Sequence, residues 1–479
     1  MNLKRDNQPI YIFALVLLAL LPWSLKASGQ GNETKLTIHI RGVYDSKITV
    51  TPFENGRYES ALKTIDGVQD SVSLTIPKAH LPGQFLLRMD YRQKATDQSY
   101  PSEFVFFMNE NDLEIGINPL QTQPDSVYLG NDVENTSYFA FLKENATRRQ
   151  PLILLEQLLA GYHEKEGRFY KEAEKEFEKN RQRYNQWIAA LEEAQNDLFV
   201  SRVYAFQKVP DISWETSAEQ QLHEQALHYF DEIDLSDPWL LRTQAFNDFV
   251  TAYMRMFGMH VTSDELRDSL FTQAGRIACE KAAQGHPEVY GWMVDYFYVG
   301  YEALGIAPGM RMLEAHIQNP HCLTSKKQEI LRRLEGMKKL TAGALAPSFE
   351  AEMVNGMQVR FNGISNDKSY GLLVFYDSEC SHCKELLDKL KSWNDVPENK
   401  VWFDVITISV DEDREKWEQF HNQKNYGWTD VWAPGGINSP VANDYYILSS
   451  PVMFILGKDK TILQIPESFK QLESFISGN

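Results

Sequence analysis

The chain has 479 residues, 43% hydrophobic and 12% aromatic, with a formal charge of −18 and a pI near 5.1. That length exceeds one ordinary core and suggests about three domains, with apolar material for each. The acidic balance argues against nucleic acid and anionic membrane surfaces as partners, because both repel it, and suits a well-hydrated surface.

Residues 1–27 read as an export signal: Lys4 and Arg5 at the start, an apolar run from Ile10 to Leu21, and Ala27 as a small residue at a cleavage point. The run is short for a transmembrane helix, so an uncleaved anchor is the alternative. No cysteine stands there to carry a lipid, and no later segment is apolar enough to span a bilayer. The expected mature protein is soluble, has no stable membrane insertion, and is periplasmic or otherwise extracytoplasmic, where disulfide chemistry is permitted.

Residues 28–125 predict an antiparallel β-sandwich. The segments Lys35–Ile40, Lys47–Val50, Ser71–Ile76, Gln84–Met89 and Phe104–Met108 are rich in β-formers and largely alternate, with Gly, Pro, Asp and Asn between them. The segment resembles the small β-domain that precedes redox domains in many exported Gram-negative proteins, which implies docking or spacing.

Residues 130–340 predict an α-helical middle domain of roughly five to seven helices. Phe177, Tyr184, Ile188 and Leu191 share one helical face, with breaks near Pro210, Asp237-Pro238, Gly285-His286-Pro287 and Pro308-Gly309. The mixed-charge run from Glu164 to Arg183 reads as a solvated helix face. Tyr290, Trp292, Tyr296, Phe297, Tyr298 and Tyr301 read as core or domain-interface packing rather than a ligand box.

Residues 341–479 predict a compact α/β domain. A hairpin turns at Asn355-Gly356, Gly371–Tyr376 is a buried strand, Cys380 to Trp393 is a helix, and Val401–Val410 is a second buried strand. A helix over Arg414–Lys424, a hairpin of Val452–Leu456 with Thr461–Ile465, and a helix over Glu467–Ile476 close it. Only four cysteines occur, so a disulfide-stapled scaffold is excluded. Cys279 and Cys322 read as separate buried thiols, a single disulfide being the alternative. Cys380-Ser381-His382-Cys383 opens a helix directly after a buried strand, where helix N–H groups stabilise a thiolate.

Three pieces in order then resemble the thioredoxin-like superfamily, in particular the exported TlpA-like thiol-disulfide oxidoreductases. They are Ala346-Pro347-Ser348-Phe349, the CxxC after its strand, and Tyr446 to Ile455 with Pro451. The resemblance covers the chain from about Ala346 to its end. It implies a multidomain α+β protein with a C-terminal thioredoxin-like domain and a redox-active Cys380/Cys383 disulfide. Cys380 would be the nucleophile and Cys383 the resolving residue, with Pro451 cis and the Ser450 backbone free to bind substrate by strand addition. His382 would stabilise the reduced form, or else be an unengaged surface histidine. Exported protein thiols or disulfides would be the substrates and a membrane redox partner the electron source or sink, with no cofactor and no metal.

Glu379 stands where the family has Trp, and a carboxylate there works against the thiolate. Leu386 stands where reductases of the family carry an acid, and Glu385 is one position short. The direction of electron flow stays open between oxidase, isomerase and reductase. A peroxiredoxin would need Pro and Thr where Leu373 and Asp377 stand, and a structural zinc site would need more ligands than the sequence offers. The rival reading is a periplasmic binding or scaffold protein with a vestigial or regulatory thioredoxin-like domain.

Overall fold

A computed structural model describes residues 33–214, 216–361 and 368–478. Residues 1–27, read as an export signal, lie outside them. Among the described residues no helix is long and apolar enough to cross a membrane.

The N-terminal strands are β1 (Glu33–Ile40), β2 (Asp45–Glu54), β3 (Arg57–Tyr58), β4 (Lys63–Val68), β5 (Ser71–Pro77), β6 (Gly83–Arg92), β7 (Tyr100–Met108) and β8 (Leu113–Ile117). They form two sheets, β5-β1-β8 and β3-β2-β6-β7 with β4 on β2. Alternation turns Leu36, Ile38, Val50, Ile76, Phe85, Leu87 and Phe106 into the shared core. The pairing departs from the expected antiparallel pattern at one place: β8 lies parallel to β1, with Ile115 beside Ile38. Leu113, Ile115 and Ile117 of β8 alternate into the core as in the other strands, and alternation marks a buried face without fixing the direction of pairing.

Nine α-helices follow among the described residues, more than the five to seven expected. They are α1 (Val133–Gly161), α2 (Arg168–Ala194), α3 (Ser201–Ala205), α4 (Ala218–His228), α5 (Gln244–Gly258), α6 (Asp264–Ala282), α7 (Pro287–Leu304), α8 (Ala307–Gln318) and α9 (Lys327–Lys339). Serine caps start two of them, Ser217 before α4 in the connection that holds Pro210, and Ser263 before α6 in a loop without proline or glycine. The break expected near Pro308 falls just before it, between Leu304 and Ala307, with Pro308 in the first turn of α8.

Two helical cores result. Phe141 of α1 and Phe177, Tyr184 and Ile188 of α2 share one core with Phe107 from β7, whose ring meets Tyr138 at 4.8 Å and Phe199 at 5.9 Å and ties the sandwich to the helices. The side chain of Asn135 completes that joint, accepting from Phe107 N at 2.7 Å and donating to Phe107 O at 2.8 Å. The second core holds α4 to α9, with Tyr290, Phe297, Tyr298 and Tyr301 buried in it. Trp292 lies at its edge and reaches back to the sandwich, donating from Nε1 to Asn55 O at 3.0 Å. Gly56, with φ +82°, lets the β2–β3 turn pass that indole, since a Cβ there would lie 2.2 Å from it.

The C-terminal elements are β9 (Glu350–Glu352), β10 (Gln358–Arg360), β11 (Tyr370–Tyr376), α10 (Ser381–Asn394), β12 (Phe403–Ser409), α11 (Arg414–Lys424), β13 (Thr429–Trp432), α12 (Pro440–Asp444), β14 (Val452–Leu456), β15 (Ile462–Gln464) and α13 (Phe469–Ser477). Their sheet runs β10-β9-β13-β12-β11-β14-β15. Strand β11 lies between parallel β12 and antiparallel β14, which explains its unbroken apolar sequence. Leu373 and Phe375 face one core with Tyr445 and Phe454, while Leu372, Val374 and Tyr376 face another with Leu387, Trp417 and Leu472. The sheet thus delivers the chain from β11 straight to the start of α10.

Candidate active site

The turn between β11 and α10 is fixed from below. Asp411, buried after β12, accepts from Ser378 N at 3.1 Å, from Ser378 Oγ at 2.6 Å and from Ser409 Oγ at 2.5 Å. Burial nevertheless holds its carboxyl above the usual range, the serine donors only partly offsetting it. Asp377 Oδ1 accepts from Glu379 N at 2.7 Å and tightens the same turn.

Cys380 is the N-cap of α10, and its Sγ accepts from Cys383 N at 3.2 Å. It is partly exposed, whereas Cys383 is fully buried one turn inward, packed with Leu386, Leu387 and Leu390. Both thiols are free. Burial pushes the Cys383 thiol up to about 12, with the nearby Cys380 adding to it and the backbone of Asp377 and the Ser450 hydroxyl opposing it. At neutral pH Cys383 therefore holds its proton.

The Ser450–Pro451 peptide is cis. Its loop closes on both sulfurs: Cys380 Sγ lies 3.7 Å from Ser450 O, and Cys383 Sγ lies 3.4 Å from Ser450 Oγ. The structure thus brings together Cys380, Cys383, Ser450 and Pro451. His382 is exposed on the first turn of α10, and among the described residues no hydrogen bond joins its imidazole to Cys380. Its charge is felt instead by Glu385, whose carboxyl is lowered chiefly by Lys389 and to a lesser degree by His382.

The concern over Glu379 changes form. Its carboxylate pairs with Lys416 Nζ of α11 at 2.6 Å, so the residue beside the nucleophile is charge-compensated. Leu386 is buried in the core, and Glu385 turns outward to Lys389 at 2.7 Å, so neither supplies an acid to Cys383. The Ser450 hydroxyl, Asp411 and Lys416 were not legible as site residues. The one sequence signal for Asp411 is its place just past a buried strand, two residues after Ser409.

Two large grooves lie elsewhere, of about 1310 Å³ and 910 Å³, and no residue lining either belongs to the C-terminal domain. Trp292, Tyr296, Phe297 and Tyr301 line the second, the last two as buried core residues that reach its wall, while Tyr290 and Tyr298 are buried away from it.

A CxxC at a helix start, a central sheet of this order and a cis-proline loop opposite define a thioredoxin-like domain. Residues 367–462 match the family described as thioredoxin-like. Among curated proteins none matches the chain. Of solved structures, a thioredoxin-like protein from Bacteroides caccae is 18% identical, with a TM-score of 0.40, over 57% of this chain and 98% of that one. A thiol-disulfide oxidoreductase from Bacteroides fragilis is 27% identical, with a TM-score of 0.26, over 28% of this chain and 98% of its own. The thioredoxin domain of a Bacteroides vulgatus thiol-disulfide oxidoreductase is 20% identical, with a TM-score of 0.26, over 29% and 97%.

Proposed function

We propose that the chain is an extracytoplasmic thiol-disulfide oxidoreductase acting on exported proteins. The observation that carries this reading is the shared contact of Cys380 Sγ and Cys383 Sγ with Ser450, beside a cis Pro451.

In the reducing direction the Cys380 thiolate attacks one sulfur of a partner disulfide. The partner S–S bond breaks, a Cys380–partner disulfide forms, and the second partner sulfur leaves as a thiolate that takes a proton. Cys383 then loses its proton, attacks Cys380 Sγ and displaces the first partner sulfur, which is protonated in turn. Two electrons have passed from the dithiol to the partner, and a dithiol of a membrane redox partner restores them. The Ser450 hydroxyl, 3.4 Å from Cys383 Sγ, is placed to donate to that sulfur as it becomes the attacking thiolate. The Ser450 backbone pairs with the partner's extended chain. In the oxidising direction every step runs in reverse, and the reduction potential of the Cys380/Cys383 pair sets which direction prevails.

Insulin reduction and refolding of a scrambled disulfide protein, with wild type and Cys380→Ser, test the reading. Activity that disappears in the variant supports it. Equal activity in both supports the rival scaffold reading, which the two grooves of about 1310 Å³ and 910 Å³ outside the C-terminal domain favour.

A further inference from the structure

The loop that carries Ser450 and Pro451 is held by the helical domain at three points. Arg332 Nη2 of α9 donates to Asn443 Oδ1 at 2.7 Å. Two turns on, Lys339 Nζ donates to Tyr446 Oη at 2.8 Å and lies over the same ring at 5.5 Å. From α7, Glu302 accepts from Ser449 Oγ at 3.5 Å, while Arg333 Nε holds its other oxygen at 3.0 Å. The three contacts fall on consecutive parts of residues 443–449, immediately ahead of Ser450.

The closest approach is at Gly336. It is buried in the interior of α9, where glycine weakens a helix by about 1 kcal/mol relative to alanine. A Cβ at Gly336 would stand 2.5 Å from Tyr446 Cβ and 2.8 Å from its Cγ. Rotation about the Tyr446 side chain cannot relieve a clash with its Cβ, so the loop backbone itself would have to move. Tyr446 has φ +51°, a left-handed conformation, and its N–H is tied to Asn443 O at 3.1 Å. The bare surface of α9 is thus the seat for a fixed bend four residues before Ser450.

We infer that the α7–α9 face of the helical domain is a positioning element of the redox site, setting the Ser450–Pro451 loop for pairing with a partner chain. This rests on the oxidoreductase reading and assigns the middle domain a part in it. Gly336, Tyr446, Arg332 and Glu302 are positioning residues, acting through the loop rather than on the sulfurs.

The test compares two disulfides on the full chain. Insulin requires the loop to hold an extended segment, whereas the small aromatic disulfide DTNB needs only Cys380. In Gly336→Ala the rate with insulin should fall about tenfold and the rate with DTNB stay at the wild-type value, the scale expected for misplacement of a binding edge. In a Tyr446→Gly background the Gly336→Ala change should have no further effect, because the clashing atoms are gone. Arg332→Ala, on the helix surface, should lower the insulin rate about two- to threefold in the same selective way, and it keeps the test open if Gly336→Ala does not fold. Unchanged insulin rates in Gly336→Ala and Arg332→Ala overturn the inference, as does an equal fall with both disulfides. Wild type inactive on insulin would instead defeat the oxidoreductase reading itself.

Discussion

The molecule holds two pairs of cysteines in opposite circumstances. Cys279 lies in the last turn of α6 and Cys322 in the loop after α8, both buried in the aromatic core of the helical domain. Burial raises the Cys279 thiol well above its ordinary value and pushes Cys322 up to about 11. Cys380 instead caps a helix, partly exposed, with a backbone N–H on its sulfur. The contrast teaches that the residue type does not make the chemistry. A sulfur becomes useful when a strand delivers it to a helix start and a second sulfur waits beneath it.

The strongest way to break this comparison is to remove one sulfur from each pair. Cys380→Ser should lower insulin reduction roughly a thousandfold or more, since no other sulfur can begin the exchange. Cys279→Ala and Cys322→Ala should retain the wild-type rate, read in the same assay. Stability should invert the order. Cys279→Ser buries a hydroxyl in an apolar core and should lose about 1–3 kcal/mol in urea unfolding, whereas Cys380→Ser should lose about 0.5 kcal/mol or less.

Two smaller experiments sharpen the contrast around the exposed sulfur and across the domains. Lys416→Ala frees the Glu379 carboxylate beside Cys380 and should slow alkylation of Cys380 at neutral pH about two- to threefold, an effect that fades in high salt. Histidines repeat the theme in the two domains. Burial holds half-buried His316 of α8 below its ordinary value, while Asp430, 2.7 Å from Nδ1, raises His421 of α11. Stability from a raised histidine is complete below its unfolded value and is lost as pH rises through its folded value. For a lowered one it is complete above the unfolded value and lost as pH falls through the folded value. Unfolding measured across about pH 5–8 should therefore show His421→Gln removing a decline on the alkaline side and His316→Gln removing one on the acid side.

Much of the redox domain was legible because its signals are local. The apolar run of β11, the CxxC after it and the Ser450-Pro451 step before β14 each declare themselves within a few residues. What escaped reading depends on pairs far apart in the chain. Glu379 looked unfavourable until α11 brought Lys416 to it, and Leu386 left Cys383 without an acid until the loop placed Ser450 Oγ beside its sulfur. The parallel pairing of β8 with β1 and the glycine seat for Tyr446 belong to the same class. In the helical domain, the loop from Met259 to Ser263 between α5 and α6 holds neither the proline nor the glycine that marks a break, so that division of the helices went unread.

The most direct test traps the first covalent step. Cys383→Ser, mixed with a disulfide-bearing peptide and analysed by peptide mass mapping, should accumulate one mixed disulfide, on Cys380, that free dithiol releases. An adduct on Cys279 or Cys322, or none at all under conditions where wild type reduces the peptide, would contradict the account.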